Sequence, residues 1–283
     1  MKLMLFLFIV LTVILTSVPA QAQGTLTLYD NFEAKSLDPT KWFGAESFGT
    51  GAIILESMRQ IKTEPTFGYK GLDILNRVYG DTTSDNGTSE GLTRLLFLDG
   101  TNVTTIQAKV QVERFRVTVC AGNPSPSEAR ARIGGLYFNT GPRTPGSATN
   151  DVFACIMVRR LSNSLAAPDV LDVVAYAFHC SNQSCSNGTF MGTGTLGTVV
   201  LGQRVKLRIT WDQANHQFIF QKGKKPEVIL PYNPTTFPDT LPPGASNGGN
   251  KRLDVDQTVA SCTSQPRPVA FMEAFFDDVY VNP

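Results

Sequence analysis

The chain has 283 residues, 25 of them basic and 24 acidic, with 42% hydrophobic side chains. That hydrophobic content excludes a disordered chain. The balanced charge gives no electrostatic reason to expect nucleic acid or an anionic membrane as partner.

The first 22 residues read as a leader. Lys2 supplies a short positive region, Leu3 to Val18 is apolar apart from Thr12, Thr16 and Ser17, and Pro19-Ala20-Gln21-Ala22 gives a small-x-small cleavage pattern. The apolar run is shorter than the roughly 20 residues a spanning helix needs, and no later run reaches that length. Cleavage after Ala22 and a secreted or periplasmic location are therefore expected. Residues 23–283 are expected to form one β-sandwich domain. Without Lys2 the mature chain carries 24 basic and 24 acidic residues. The leader is of bacterial type, so the sequons at Asn86, Asn102, Asn182 and Asn187 are read as ordinary polar loop sequence.

No segment keeps a 3.6-residue period, and alternation with period two is widespread. Strands are predicted at Thr25–Tyr29, Ala52–Glu56, Leu72–Val78 and Arg94–Leu98. A long strand follows at Thr105–Val119. Its apolar phase slips between Val112 and Phe115, which predicts a bulge near Glu113-Arg114. Further strands are expected at Arg130–Phe138, Asp151–Arg159, Val170–His179 and Val199–Leu201. Arg204 to Trp211 alternates cleanly, turns at Asp212-Gln213-Ala214-Asn215, and resumes at Phe218 and Phe220, which is a hairpin with one wet face. Tyr232 to Asn250 is Pro- and Gly-rich and reads as a long loop. Val269–Val281 closes the chain as a strand expected in the same sheet as the first. Many strands with turn-rich links mean an all-β sandwich or barrel.

Five cysteines follow the leader. Cys180 and Cys185 have the spacing of a staple across a hairpin tip. Cys155 lies in a run apolar on both faces and reads as a buried free thiol. Cys120 and Cys262 each stand in a polar loop before a strand, so they are expected to pair in an oxidising compartment. Zinc needs clustered Cys and His, and only His179 adjoins a cysteine.

Three stretches together resemble the concanavalin A-like (laminin G-like) jelly-roll superfamily. They are Leu28-Tyr29-Asp30-Asn31-Phe32-Glu33 with Leu37-Asp38-Pro39-Thr40-Lys41-Trp42, Val205–Trp211 with Asp212 and Phe218-Ile219-Phe220, and Phe275-Phe276-Asp277-Asp278-Val279-Tyr280-Val281. The resemblance implies a two-sheet antiparallel jelly-roll β-sandwich. Its members include sugar-binding modules, glycoside hydrolases, polysaccharide lyases and adhesive domains, so fold does not fix function. The Glu-x-Asp-x-x-Glu triplet of retaining glucanases in this group, which sets carboxylates about 5 Å apart on one sheet face, is absent. Asp254-x-Asp256 sits in a loop-like segment, and Asp169 and Asp172 have the wrong phase. Gln60-Ile61-Lys62 has Lys where a lyase motif would have His. Neither histidine has a flanking Gly-x-Ser-x-Gly.

Related domains often hold a structural calcium where first and last strands meet, which makes Asp30 and Asp278 the metal candidates; the alternative is a turn cap and a solvated strand residue. A sugar site would join an aromatic platform to planar polar groups on one sheet face. Arg132, Tyr137, Asp172, Tyr176 and His179 are its candidates, against the alternative that Tyr176 packs in the core and Asp172 is a surface charge. Trp42 and Trp211 are assigned to the core, and His216 to a solvated turn. The leading expectation is a carbohydrate- or surface-binding protein without catalysis, with a polysaccharide or cell-surface glycan as partner. A polysaccharide-active enzyme with an unrecognised site and an adhesive envelope protein are the alternatives. A cleft with shifted carboxylates would mark the first, and an exposed apolar patch the second.

Overall fold

A computed structural model describes residues 25–50, 53–65, 68–244 and 251–282. The expected leader lies outside them, as does the end of the Pro-rich loop. Fifteen strands follow in chain order: β1 Thr27–Asp30, β2 Trp42–Thr50, β3 Ile53–Thr63, β4 Lys70–Tyr79, β5 Thr88–Phe97, β6 Thr105–Val117, β7 Glu128–Asn139, β8 Asp151–Leu161, β9 Val170–Cys180, β10 Gly188–Val200, β11 Val205–Asp212, β12 Gln217–Lys222, β13 Val228–Pro231, β14 Arg252–Ala260 and β15 Val269–Val281. Among the described residues the helical content is one 3₁₀ turn, Gln213–Asn215, and no helix is long and apolar enough to cross a membrane.

The strands form two antiparallel sheets, the two-sheet jelly-roll sandwich that the resemblance implies. One has eight strands, ordered β13-β12-β11-β6-β15-β4-β3 with β1 also on β15. The other has seven, ordered β10-β9-β8-β7-β14-β5-β2. The period-two pattern decides the packing. Ile106, Ala108 and Val110 of β6 and Ala274 and Phe276 of β15 turn inward from the first sheet. Ala131 and Ile133 of β7, Ile156 of β8 and Leu253 and Val255 of β14 meet them from the second, all fully buried. Trp42 is buried in the core, and Trp211 packs partly buried against it.

The bulge expected near Glu113-Arg114 is present. Arg114 pairs with Glu273 while Val112 pairs with the next residue, Ala274, so Glu113 is the extra residue. The β11–β12 hairpin also forms, with Trp211 opposite Phe218. Four segments depart from the expectation. The segment holding Asp254 and Asp256 is not a loop: it is β14, between β7 and β5 near the middle of its sheet. β10 starts at Gly188 rather than Val199, and β2 and β13 had not been predicted. The strands β2, β10 and β13 lie at sheet edges. β10 is rich in Gly and Thr and mostly exposed, so it lacks the apolar alternation that marks a strand.

Both predicted disulfides form. Cys120 joins Cys262 with Cα atoms 5.6 Å apart, and Cys180 joins Cys185 at 4.7 Å. Cys155 is free and buried.

Candidate functional site

The outer face of the seven-stranded sheet carries a groove of about 860 Å³. Its floor is made of outward residues of β5, β7, β14, β8, β9 and β10. Cross-strand register aligns Leu92 with Asp256 and Arg130, and Arg94 with Asp254 and Arg132. Leu96, Arg252 and Gly134 form the next row, and Gly134 lies opposite Cys155 on β8. The loop bearing Gly146 and Ala148 and the disulfide loop Gln183–Ser186 wall one end. They are tied together, because Ala148 N donates to Gln183 O at 3.0 Å and Asn150 N to Cys180 O at 2.9 Å.

The charged half is an ion-pair lattice. Arg132 Nε lies 2.6 Å from Asp254 Oδ1 and its Nη2 lies 2.6 Å from Asp256 Oδ2. Arg130 contacts Asp256 Oδ2 at 2.7 Å, Glu128 Oε2 at 2.8 Å and Glu90 Oε1 at 3.2 Å. Arg159 reaches Glu128 Oε1 at 3.3 Å. Burial alone would favour losing the arginine protons, but the neighbouring carboxylates outweigh it and hold Arg130 and Arg132 above the ordinary guanidinium range. The Glu90 carboxyl is raised, first by the negative charge of Asp256 and then by burial.

The aromatic half lies beside it. Tyr176 stacks on Phe190 with centroids 5.6 Å apart and also meets Phe153 at 5.9 Å. Phe178 meets Phe190 edge-on at 6.1 Å. Phe190 is 61% exposed and forms the rim. The Tyr176 hydroxyl sits between the Arg132 guanidinium, at 3.4 Å, and the Cys155 thiol. Burial pushes that thiol up to about 12, so it is a poor nucleophile.

At Gly134 the strands β7 and β8 approach closely. A Cβ there would stand 2.3 Å from the Ala154 carbonyl oxygen. With no side chain on β7 at this row, the Arg252 guanidinium extends across to lie 4.7 Å over the Phe153 ring.

The sequence-nominated ligand residues separate. Arg132 and Tyr176 meet in the groove. Asp172 shares the Tyr176 face of β9 and pairs in register with Arg159, but does not line the groove. Tyr137 is in the core, 2% exposed, with its ring 5.3 Å from Phe218. The cause is strand alternation: Tyr137 has the parity of the core residues Ala131 and Ile133, whereas Leu136 has that of the groove residues Arg130 and Arg132. His179 also stays out of the groove. Its Nε2 lies 2.8 Å from Thr140 Oγ1, its ring packs near Phe237, and burial lowers its pKa. His216 is not merely solvated, since its Nδ1 lies 2.9 Å from Asp239 Oδ2. The groove residues Phe190, Arg252 and Glu90 carried no motif that sequence alone could single out. Phe190 follows the disulfide loop in a Gly-Thr-rich stretch, and Arg252 opens a strand disguised by its aspartates.

The calcium candidates are otherwise engaged. Asp30 Oδ2 accepts from the Trp42 indole at 2.6 Å and Oδ1 from Phe32 N at 2.9 Å. Asp278 is ion-paired with Lys109. Calcium needs roughly six to eight oxygens turned toward it, and these residues do not fit it. Among the described residues one group of three metal-capable side chains lies close together, Asp85, Cys120 and Cys262, and its two sulfurs are joined in the disulfide.

No family model matches the sequence, and no curated protein matches it. Solved structures do resemble the fold. An alginate lyase from Alteromonas sp.272 is 9% identical over 78% of this chain and 92% of its own, with a TM-score of 0.35. An immunostimulatory antigen and pseudo β-1,3-glucanase of Mycobacterium tuberculosis is 13% identical over 88% of this chain and 97% of its own, with a TM-score of 0.35. The exoplasmic/lumenal domain of VIP36 in its Ca²⁺ and mannoside-bound form is 10% identical over 90% of each chain, with a TM-score of 0.36. At these scores the likeness concerns architecture and adds nothing to the reading of the groove.

Proposed function

We propose that this chain is an exported glycan-binding β-sandwich that holds a polysaccharide or cell-surface glycan in the groove of the seven-stranded sheet without cleaving it. One observation carries the reading: an exposed aromatic stack, Phe190 on Tyr176, opens directly onto a floor of fixed guanidinium and carboxylate groups. A pyranose presents apolar C–H faces and hydroxyl edges. The stack suits the first, and the planar ionic groups, locked by one another, suit the second without losing much side-chain entropy on binding. The two disulfides accord with an oxidising compartment.

The test is depletion of the mature protein from solution by a panel of insoluble polysaccharides, repeated with Phe190→Ala and with a calcium chelator. Saturable binding that falls in the variant and ignores the chelator is expected. Binding that persists unchanged in Phe190→Ala would move the site elsewhere, and absence of binding across the panel would reject the reading for those glycans.

A second reading, cleavage of the bound chain, is favoured by Glu90. Its raised carboxyl lines the groove, and Arg130 Nη2 bridges it to Asp256. A carboxyl raised by a neighbouring carboxylate is a candidate for the acid of an acid–base pair. Release of new chain ends from a bound glycan, abolished by Glu90→Gln, would establish this reading over the first.

A further inference from the structure

We infer that the groove contains a dedicated subsite for the acidic group of a carboxylated or sulfated sugar, formed by Arg252 beside Phe153. This rests on the glycan-binding reading and narrows it to acidic glycans.

The inference comes from how the guanidinium groups of the floor are partnered. Arg130 contacts three carboxylates and Arg132 two. Arg252 contacts one, Asp254, and shares it with Arg132. The sharing is unequal. Arg132 Nε hydrogen-bonds Asp254 Oδ1 at 2.6 Å. Arg252 Nε lies 2.7 Å from Oδ2, yet neither of those two atoms completes a hydrogen bond. Arg252 thus has the proximity of an ion pair without its alignment.

Its surroundings add to the imbalance. Arg132 stands over the same Phe153 ring, at 5.9 Å against 4.7 Å for Arg252. Burial lowers the pKa of Arg252; Asp254 opposes that, while Arg132 and Arg94 reinforce it. Two guanidinium groups drawn together in a partly dry site, with one carboxylate between them, are stabilised by a further anion. A carboxylate or sulfate matches the planar fork of Arg252.

Position selects a sugar over a free ion. Phe153 also contacts Tyr176, which stacks under Phe190. A sugar ring on the Phe190 rim therefore has its neighbour in the chain directed along Tyr176 and Phe153 toward Arg252.

The test compares binding of the mature protein to polygalacturonate, to a sulfated galactan, to neutral xylan and to polyglutamate, each across a salt series. The expected result is a preference for one acidic glycan over xylan of about tenfold, the scale of a charge-assisted hydrogen bond. That preference should weaken with salt and collapse toward parity in Arg252→Gln. Arg252→Lys should restore part of it, since an ammonium supplies charge without the fork. Whichever acidic glycan carries the preference identifies the acid as carboxylate or sulfate. The wild-type salt series needs no variant, so a poorly folding Arg252→Gln leaves the inference open to refutation.

Equal affinity for xylan and both acidic glycans, or an unchanged preference in Arg252→Gln, would overturn the subsite and leave glycan binding standing. Polyglutamate binding as tightly as the acidic glycans would reduce the site to simple ion exchange and overturn it too. No binding to any glycan would remove both readings together.

Discussion

The outer faces of the two sheets are made from the same kinds of residue. On the eight-stranded sheet, Lys62 reaches Asp73 at 3.4 Å and Glu273 at 3.2 Å, and Arg114 pairs with Glu273 from the other side. On the seven-stranded sheet, arginines and aspartates form a similar lattice. The first face is covered by its own chain. Tyr69, just past the β3–β4 turn, donates to Gln111 at 2.8 Å, lies edge-on to Phe275, and is itself covered by the Arg204 guanidinium. A cavity of about 170 Å³ remains. The second face keeps a groove of about 860 Å³ with an exposed aromatic rim. An outward charged stripe is thus common to both sheets, and what distinguishes the candidate site is that no segment among the described residues fills it.

The largest expected effects separate the two disulfides. In the chain-entropy picture, closing a separation of 142 residues stabilises by about 5 kcal/mol, and closing one of 5 residues by about 2 kcal/mol. Cys120→Ser with Cys262→Ser should therefore lower the urea midpoint more than Cys180→Ser with Cys185→Ser. The second pair should cost more glycan affinity, because its loop walls the groove. The reverse order in either measurement would break the link between loop and site.

Next in size is a matched pair of aspartates. Asp254→Asn removes the anion between Arg132 and Arg252 and should destabilise by about 3–5 kcal/mol. Asp73→Asn should stay within about 1 kcal/mol at neutral pH. Burial raises the Asp73 pKa, so folding disfavours its charged form relative to the free chain. Its contribution is present at low pH and lost as pH rises through the raised value. Equal losses in chemical denaturation would mean that the two faces do not differ as described.

Lys251 gives a pH test. It is wholly buried, its Nζ donates to the Leu136 carbonyl beneath the groove, and it lies 4.2 Å over the Tyr137 ring. Burial lowers its pKa from 10.5 to about 7. Between those values the unfolded chain binds more protons, so stability should rise with pH, on the order of 3 kcal/mol from pH 7 to 10. Lys251→Met should flatten that rise in urea titrations at several pH values. A rise of the same size in the variant would assign it to other groups. The smallest effect on stability belongs to Phe190→Ala, within about 0.5 kcal/mol for so exposed a ring; its loss should appear in glycan binding instead.

How much of this was legible depended on whether a local pattern survived into the tertiary structure. The β11–β12 hairpin, the bulge at Glu113 and both cysteine pairs followed from alternation, phase and spacing. β14 did not, because Asp254 and Asp256 read as loop residues until Arg130 and Arg132 arrive from β7, more than 120 residues away in sequence. Tyr137 was assigned to the wrong side because it was grouped with Arg132, although five residues apart on one strand puts the two on opposite faces. Arg132 and Tyr176 were legible as a planar polar group and an aromatic ring on predicted strands. Phe190 and Arg252 were not, since their roles arise from neighbours on other strands and from the missing side chain at Gly134.

The placement of the last two strands bears on synthesis. β14 separates β7 from β5, and β15 separates β6 from β4 and also carries β1. Residues 252–281 thus supply an interior strand to each sheet. A nascent chain that stops short of them holds four half-sheets with open edges, each able to pair with a second chain. Folding must wait for nearly the whole polypeptide and then close contacts of long sequence separation, a slow topology. A protein of this design gains from a holding factor that keeps it unpaired until its final strands emerge, and C-terminal truncation should yield aggregates rather than a smaller folded core.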